Sequence, residues 1–178
     1  AQPRENADEA VRFDRVSFTY RNAGAPSLTD ISFCAKKGQT VGIIGGTGSG
    51  KSTLISLIPR FYDAASGTVS LDGCDVKEYT QEALCRKIAV VQQRSVLFQG
   101  TIRDNLRWGN ENASDEELWQ ALEVAQAREI VEGKEGQLDF RLEQGGRNLS
   151  GGQKQRLSIA RALVKKPEIL ILDDSSSA

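Results

Sequence analysis

From Val11 to Tyr20 the chain reads VRFDRVSFTY, with apolar residues at 11 and 13 and again at 16, 18 and 20. Alternation marks a half-buried strand, and the slip in phase marks a bulge. LTDISFCAKKG predicts a second strand closed by a turn. TVSLDGCDV sets an Asp-Gly turn between two short strand-like pieces, which predicts a small antiparallel region. Three other runs, VGII at 41–44, IAVV at 88–91 and ILIL at 169–172, are apolar without alternation. Such runs belong to strands buried on both faces of a parallel sheet.

Helical patterns fall between these strands. Ser114 followed by Glu117 has capping-box spacing, and Leu118, Leu122 and Ala125 then share one face. A second helix is predicted from about Gly151 to Lys165, turning Leu157, Ala160, Leu163 and Val164 inward and ending before Pro167. Buried strands separated by helices give an α/β fold with a mostly parallel sheet and an antiparallel β subdomain. Residues 1–10 are polar and aperiodic and read as a linker or tail, which leaves 11–178 for the domain.

Composition narrows the partners. The length of 178 residues suits one domain with a sizeable core, or a domain missing a piece. Lys and Arg number 23 against 24 Asp and Glu, a net charge of -1, so no nucleic-acid partner is expected. No apolar run approaches the ~18–20 residues of a membrane span, and AQPRENADEA is no signal peptide, so the chain reads as soluble. Cys34, Cys74 and Cys85 form no C-x-x-C pair and are expected as free thiols in a reducing cytosol. Histidine is absent, so any catalysis must use carboxylates, backbone dipoles and a bound ion.

GGTGSGKST at 45–53 supplies a candidate for such chemistry. It matches G-x-x-x-x-G-K-[ST] and lies between the apolar run VGII and the helical stretch STLISLI. Gly45, Gly46, Gly48 and Gly50 let the backbone curl round an anion, so that N–H groups of the loop, Thr47 and Ser49 included, face phosphates. Lys51 would reach the β- and γ-phosphates, the Ser52 hydroxyl would ligate Mg²⁺, and Thr53 closes the motif. Such a loop needs a carboxylate at the end of a neighbouring buried strand to hold the ion, and Asp173, at the exit of ILIL, is placed for it.

LSGGQ at 149–153 (Leu149, Ser150, Gly151, Gly152 and Gln153), followed by KQRLSIARAL, narrows the choice of nucleotide-binding families. Ser150 can cap a helix whose N-terminus, bared by two glycines, forms a second anion site. With these motifs in this order, residues 11–178 resemble the nucleotide-binding domain of an ATP-binding cassette (ABC) transporter of the exporter type. The resemblance implies ATP and Mg²⁺ as cofactors and a helical subdomain at about 94–160. It also implies a head-to-tail dimer, homo- or heteromeric, with each ATP between the phosphate loop of one domain and the LSGGQ of the other. Tyr20 takes the place of the aromatic that stacks on adenine. Gln93 takes that of the glutamine that meets the ion and senses the γ-phosphate, although Gln92 beside it leaves the register open. RSVLFQGTIRDNLRWG, after Gln93, resembles the segment that contacts short helices of a transmembrane domain, which would hold the chain at the cytoplasmic face of the cell membrane. Trp108 and Trp119 read as packing residues.

The family usually follows its metal-binding aspartate with a glutamate that polarises the attacking water; here that residue is Asp174. Lys51, Gln93 and Asp174 are then the groups acting on the γ-phosphate and the water. Asp174 is shorter than glutamate by about 1.5 Å of reach, so either hydrolysis is weakened or a backbone shift or water restores contact. The main reading is thus the ATPase motor of an exporter. A second is the ATP-binding regulatory half of a heterodimeric exporter with a degenerate site. A third, a soluble ABC ATPase acting on DNA or ribosomes, expects basic patches and inserted arms, which the sequence lacks. The resemblance places a dimer-contact loop and a γ-phosphate histidine beyond Ala178, so the chain is expected to lack its C-terminal part. On that expectation the chain alone binds ATP weakly and hydrolyses it negligibly.

Overall fold

The structure, a computed structural model, describes residues 8–92 and 96–173. It divides into two compact units, 1–85 and 86–178.

The first unit is built on an antiparallel sheet. In chain order it holds β1 (Glu9–Phe18), β2 (Leu28–Lys36), α1 (Lys51–Leu57), β3 (Ser66–Leu71), β4 (Cys74–Asp75) and the start of α2 (Gln81–Lys87). The sheet order is β2-β1-β3-β4. Val11, Phe13, Val16 and Phe18 are buried, and the register of β1 against β2 slips between Phe13 and Val16. The change of phase in the sequence is therefore a bulge, with Arg15 at φ 47°. Asp72 and Gly73 both take positive φ between β3 and β4, the two-residue hairpin turn that an Asp-Gly pair favours.

One expectation fails here. VGII at 41–44 forms no strand; Val41 and Ile43 are exposed, and Ile44 is 99% exposed. A strand is defined by its ladder partners, and no described strand pairs with this run. Apolar sequence alone does not supply them.

The second unit runs through β5 (Ile88–Val91), β6 (Gly100–Thr101), α3 (Ile102–Arg107), α4 (Asp115–Val124), α5 (Arg128–Glu132), β7 (Arg141–Leu142), α6 (Gly151–Val164) and β8 (Ile169–Leu172). β5 and β8 pair in parallel, as the runs IAVV and ILIL predict. Leu170 and Leu172 are exposed, however, so β8 is covered on one face only. Its partner β5 differs: Ile88, Ala89 and Val91 are all buried, so that strand is covered on both faces.

Three helices of this unit start with complete capping boxes. Thr101 and Asp104 open α3, Ser114 and Glu117 open α4, and Ser150 and Gln153 open α6. In each, a side-chain oxygen accepts one orphan N–H of the first turn and the residue three positions on accepts the cap's own N–H. Leu118, Leu122 and Ala125 of the α4 region, with Leu157, Ala160 and Val164 of α6, enter one hydrophobic core that runs from Leu97 to Val164. Full burial of each such leucine contributes about 1.5–3 kcal/mol.

Two polar features hold this core in register. Buried Asn105 accepts from Phe98 N–H at 2.8 Å and donates to the Phe98 and Thr101 carbonyls at 2.9 and 3.0 Å. Arg103 reaches from α3 to Asp139 and Asp115, which ties the turn at 137–139 to α4. A close approach adds to these: a Cβ at Gly109 would collide with the Arg161 carbonyl oxygen of α6, so the end of α3 lies against that helix with no room for a side chain.

Asn105→Ala leaves the Phe98 amide and two carbonyls without their partner, and is expected to cost about 1–3 kcal/mol in urea unfolding. Acid should act through the carboxylates. The Arg103 guanidinium holds Asp139 below its ordinary 3.8, and Lys166 together with the Ser114 amide holds Glu117 below its ordinary 4.5. A depressed folded value gives stability that is present above the unfolded value and lost as pH falls through the folded one. Thermal stability should therefore drop as pH falls below about 4, and Asp139→Asn should flatten that part of the profile.

Candidate functional site

The loop at 45–50 meets α1 in a conformation that glycine makes possible. Gly50 caps α1 at φ 90°, and a Cβ there would stand 2.7 Å from the Ser27 carbonyl oxygen and 2.9 Å from Leu28. Gly48 also lies at positive φ. Ser49 N–H donates to Gly46 O at 3.2 Å, which closes a tight turn within GGTGSG. The Lys51 ammonium donates to the carbonyls of Gly45 and Gly46 at 2.5 and 2.9 Å, so its charge sits inside the curl of the loop. Ser52 and Thr53 follow on the first turn of α1, with Thr53 buried. A curled backbone carrying one ammonium and small residues fits a polyphosphate.

Tyr20 belongs to the same unit. Its hydroxyl lies 3.1 Å from the Thr53 hydroxyl, and its ring meets Phe18 edge to face at 4.8 Å. The aromatic and the phosphate loop, distant in sequence, are thus brought together.

In the second unit, Leu149 is buried and Ser150 caps α6. Ser150 Oγ accepts the Gln153 N–H at 3.2 Å, and Gln153 Oε1 accepts the Ser150 N–H at 3.1 Å. LSGGQ is therefore, in physical terms, a capping box with glycines at its two inner positions. A Cβ added to Gly151 or Gly152 would meet nothing within 4 Å. Among the described residues no neighbour calls for glycine there, although each glycine costs a helix about 0.5–1 kcal/mol relative to alanine. The loop leading in is held by Asn148, which accepts from Glu143 N–H at 3.1 Å and donates to Arg141 O at 2.9 Å.

Asp173 sits where β8 ends, and its N–H extends the parallel ladder to Val91 O at 2.9 Å. Gln93 and Asp174 lie outside the described residues. Among the described residues no three His, Cys, Asp or Glu side chains cluster as a metal cage. Of the three donors singled out for a metal, Ser52, Gln93 and Asp173, the structure describes a hydroxyl, Ser52, in the first unit and a carboxylate, Asp173, in the second. Mg²⁺ favours such sets, in which one or two protein oxygens are completed by phosphate and water.

Two tryptophans part company. Trp119 packs against the core beneath the Arg128 guanidinium. Trp108, read from sequence as packing, is 70% exposed and stacks on Phe98 at 4.5 Å. The close approach of Gly109 to α6 ends α3 there, and Trp108 is left on the surface. The two rings border a groove of about 350 Å³ that also includes Ser158 and Arg161. The Ser158 hydroxyl is buried and has no hydrogen-bond partner among the described residues. Arg161 lies 5.7 Å over Phe98, and burial holds its guanidinium below the usual arginine value. Sequence reading missed this groove, because Phe98, Trp108 and Arg161 meet only when α3 docks on α6.

Neighbouring positions of LSGGQ should differ in sign when stability is measured. Ser150→Ala removes a cap and should cost about 1 kcal/mol, whereas Gly151→Ala should leave stability unchanged or raise it by up to about 1 kcal/mol. Denaturant unfolding of both variants checks this.

Comparison with known proteins accounts for both loops together. The family model described as ABC transporter matches residues 28–177. An ABC transporter ATP-binding protein of Mycobacterium tuberculosis is 49% identical over 179 residues, covering 99% of this chain and 30% of its own length. A β-(1→2)glucan export ATP-binding/permease protein of Rhodopseudomonas palustris is 49% identical over 168 residues, covering 94% of this chain and 28% of its own length. A solved bacterial Atm1-family ABC exporter with ATP bound superposes with a TM-score of 0.89 at 38% identity, over 96% of this chain and 30% of that one. The chain thus spans about 30% of the length of these relatives. It belongs to the ABC transporter family and has that family's P-loop ATPase fold, with an antiparallel β region and a helical region that carries LSGGQ.

Proposed function

We propose that this chain is the ATP-binding and hydrolysing motor domain of an ABC exporter, working as a head-to-tail dimer with ATP between the phosphate loop of one domain and the LSGGQ of the other. The observation that carries this reading is the bare start of α6. Gly151 and Gly152 weaken their helix, yet a Cβ at either would meet nothing within 4 Å among the described residues, which makes sense if a ligand held by a second domain approaches them.

Within the proposed site the residues divide the work. The loop Gly45–Gly50 cradles phosphate oxygens by backbone N–H groups, Lys51 moves from its carbonyl partners to the γ-phosphate, and Thr53 closes the end of the loop. Tyr20 stacks on adenine. Leu149, Ser150, Gly151, Gly152 and Gln153 present the second anion site to the partner's nucleotide. Ser52, Gln93 and Asp173 are the residues that would hold Mg²⁺, which when bound neutralises charge on the phosphate oxygens. Asp174 orients the attacking water. The domain takes in β1 from Glu9, inside the stretch 1–10 read from sequence as a tail, and its helical part lies at about 94–160.

The loop after Gln93 and the groove at Phe98, Trp108 and Arg161 are the proposed seat of a transmembrane domain, which would hold the chain at the cytoplasmic face of the membrane. Exposed stacked rings beside a hydroxyl with no partner among the described residues support a protein partner there. The relatives named as export ATP-binding/permease proteins support the same arrangement.

A second reading is favoured by one residue. Asp174 in place of glutamate suits the regulatory half of a heterodimeric exporter, whose own site turns over slowly while its LSGGQ completes the partner's site.

Sedimentation of the chain, alone and mixed with a second nucleotide-binding domain, tests the dimer. Association is expected to require ATP and to be lost in Gly151→Glu, with thermal stability preserved; association indifferent to both would refute the sandwich. In the assembled transporter, Asp174→Glu should raise ATP turnover about ten-fold or more if the site is weakened. Unchanged turnover leaves the motor reading alone in place.

A further inference from the structure

Tyr62 was singled out by no motif, yet it lies against the ring proposed to meet adenine. It stands perpendicular to Tyr20 at 5.3 Å (86°), while the buried Phe18 lies 4.8 Å from Tyr20 and 5.5 Å from Tyr62. Tyr62 is itself 46% exposed, which is a poor use of an aromatic if core packing were its only task.

The turn that carries Tyr62 is held from several sides. α1 ends with Phe61 N–H bonded back to Ser56 O at 3.0 Å, and Arg60 takes the left-handed conformation at φ 56°. A residue other than glycine is strained there, so its surroundings must fix it. They do: the Arg60 guanidinium donates to Asp63 at 2.8 Å and to the Lys77 carbonyl at 3.2 Å, and Gln81 donates to the Arg60 carbonyl at 3.2 Å. At its far end Tyr20 is tethered by the Thr53 hydroxyl, one residue beyond Ser52 of the phosphate loop.

We infer that Tyr62 is a positioning residue for nucleotide binding: with Phe18 and Thr53 it fixes the plane of the Tyr20 ring before the base arrives. This rests on the reading of Tyr20 as the base-stacking group. A ring already immobilised loses little freedom on stacking, so the benefit falls on the base and not on the phosphates. The same tether makes the base platform and the first turn of α1 one rigid part.

The test separates base from phosphate. Binding of ATP and of inorganic tripolyphosphate to the chain is measured by titration calorimetry or ligand-observed NMR, both suited to weak binding. Tyr62→Ala and Tyr62→Leu should weaken ATP roughly three- to ten-fold and leave tripolyphosphate unchanged. Tyr62→Phe keeps the ring and should restore the wild-type ratio. Equal losses for both ligands would reduce Tyr62 to general packing, and unchanged ATP binding in Tyr62→Leu would remove its role; either result overturns the inference. Tyr20→Ala is the control: if it leaves the ratio of the two affinities unchanged, the base-stacking reading fails as well. If it alone shifts the ratio, only the role of Tyr62 falls.

Discussion

The helical unit depends on how its longest helix begins. A helix start leaves four N–H groups unpaired, and most sequences cover them with side chains and a well-formed first turn. α6 satisfies this with the reciprocal bonds of Ser150 and Gln153, which fix the first turn from its two ends. The glycines between them can then stay bare without the helix fraying. The capping box gives this first turn stability, while Gly151 and Gly152 leave it without side chains. The α3 and α4 helices use the same box with ordinary residues inside it, which isolates the glycines as the feature that differs.

Much of the fold was legible because its signals are local. The bulge in β1 shows as a slip in alternation, the β3–β4 turn as Asp72-Gly73, and the start of α4 as Ser114 and Glu117. Each depends on residues within a few positions, whose preferences are set by sterics and short hydrogen bonds. VGII failed because burial of a strand is a property of its neighbours. An apolar run states a need for partners without naming them, and Ile44, almost wholly exposed, has none among the described residues. Asn105 was missed for a related reason: an asparagine in a helix reads as a surface residue until the loop at Phe98 folds back over it.

The candidate site divides along the same line. The curl of the loop around Lys51 and the capping box at Ser150 were legible because each is built from contiguous backbone, so its whole requirement is written in one short segment. Tyr20 came from resemblance, and the structure adds its bond to Thr53, which no local pattern shows. Trp108, read as a packing residue, does pack on Phe98 but at the surface, 70% exposed. What decided this was a glycine next to it, needed for contact with a helix some fifty positions away.

That glycine also has a mechanical consequence. Gly109 rests on the backbone of α6 near Arg161, ten residues beyond Gly151, which along a helix is about 15 Å. Backbone packed on backbone has no side chain to bend, so this contact holds the end of α3 against α6 with little give.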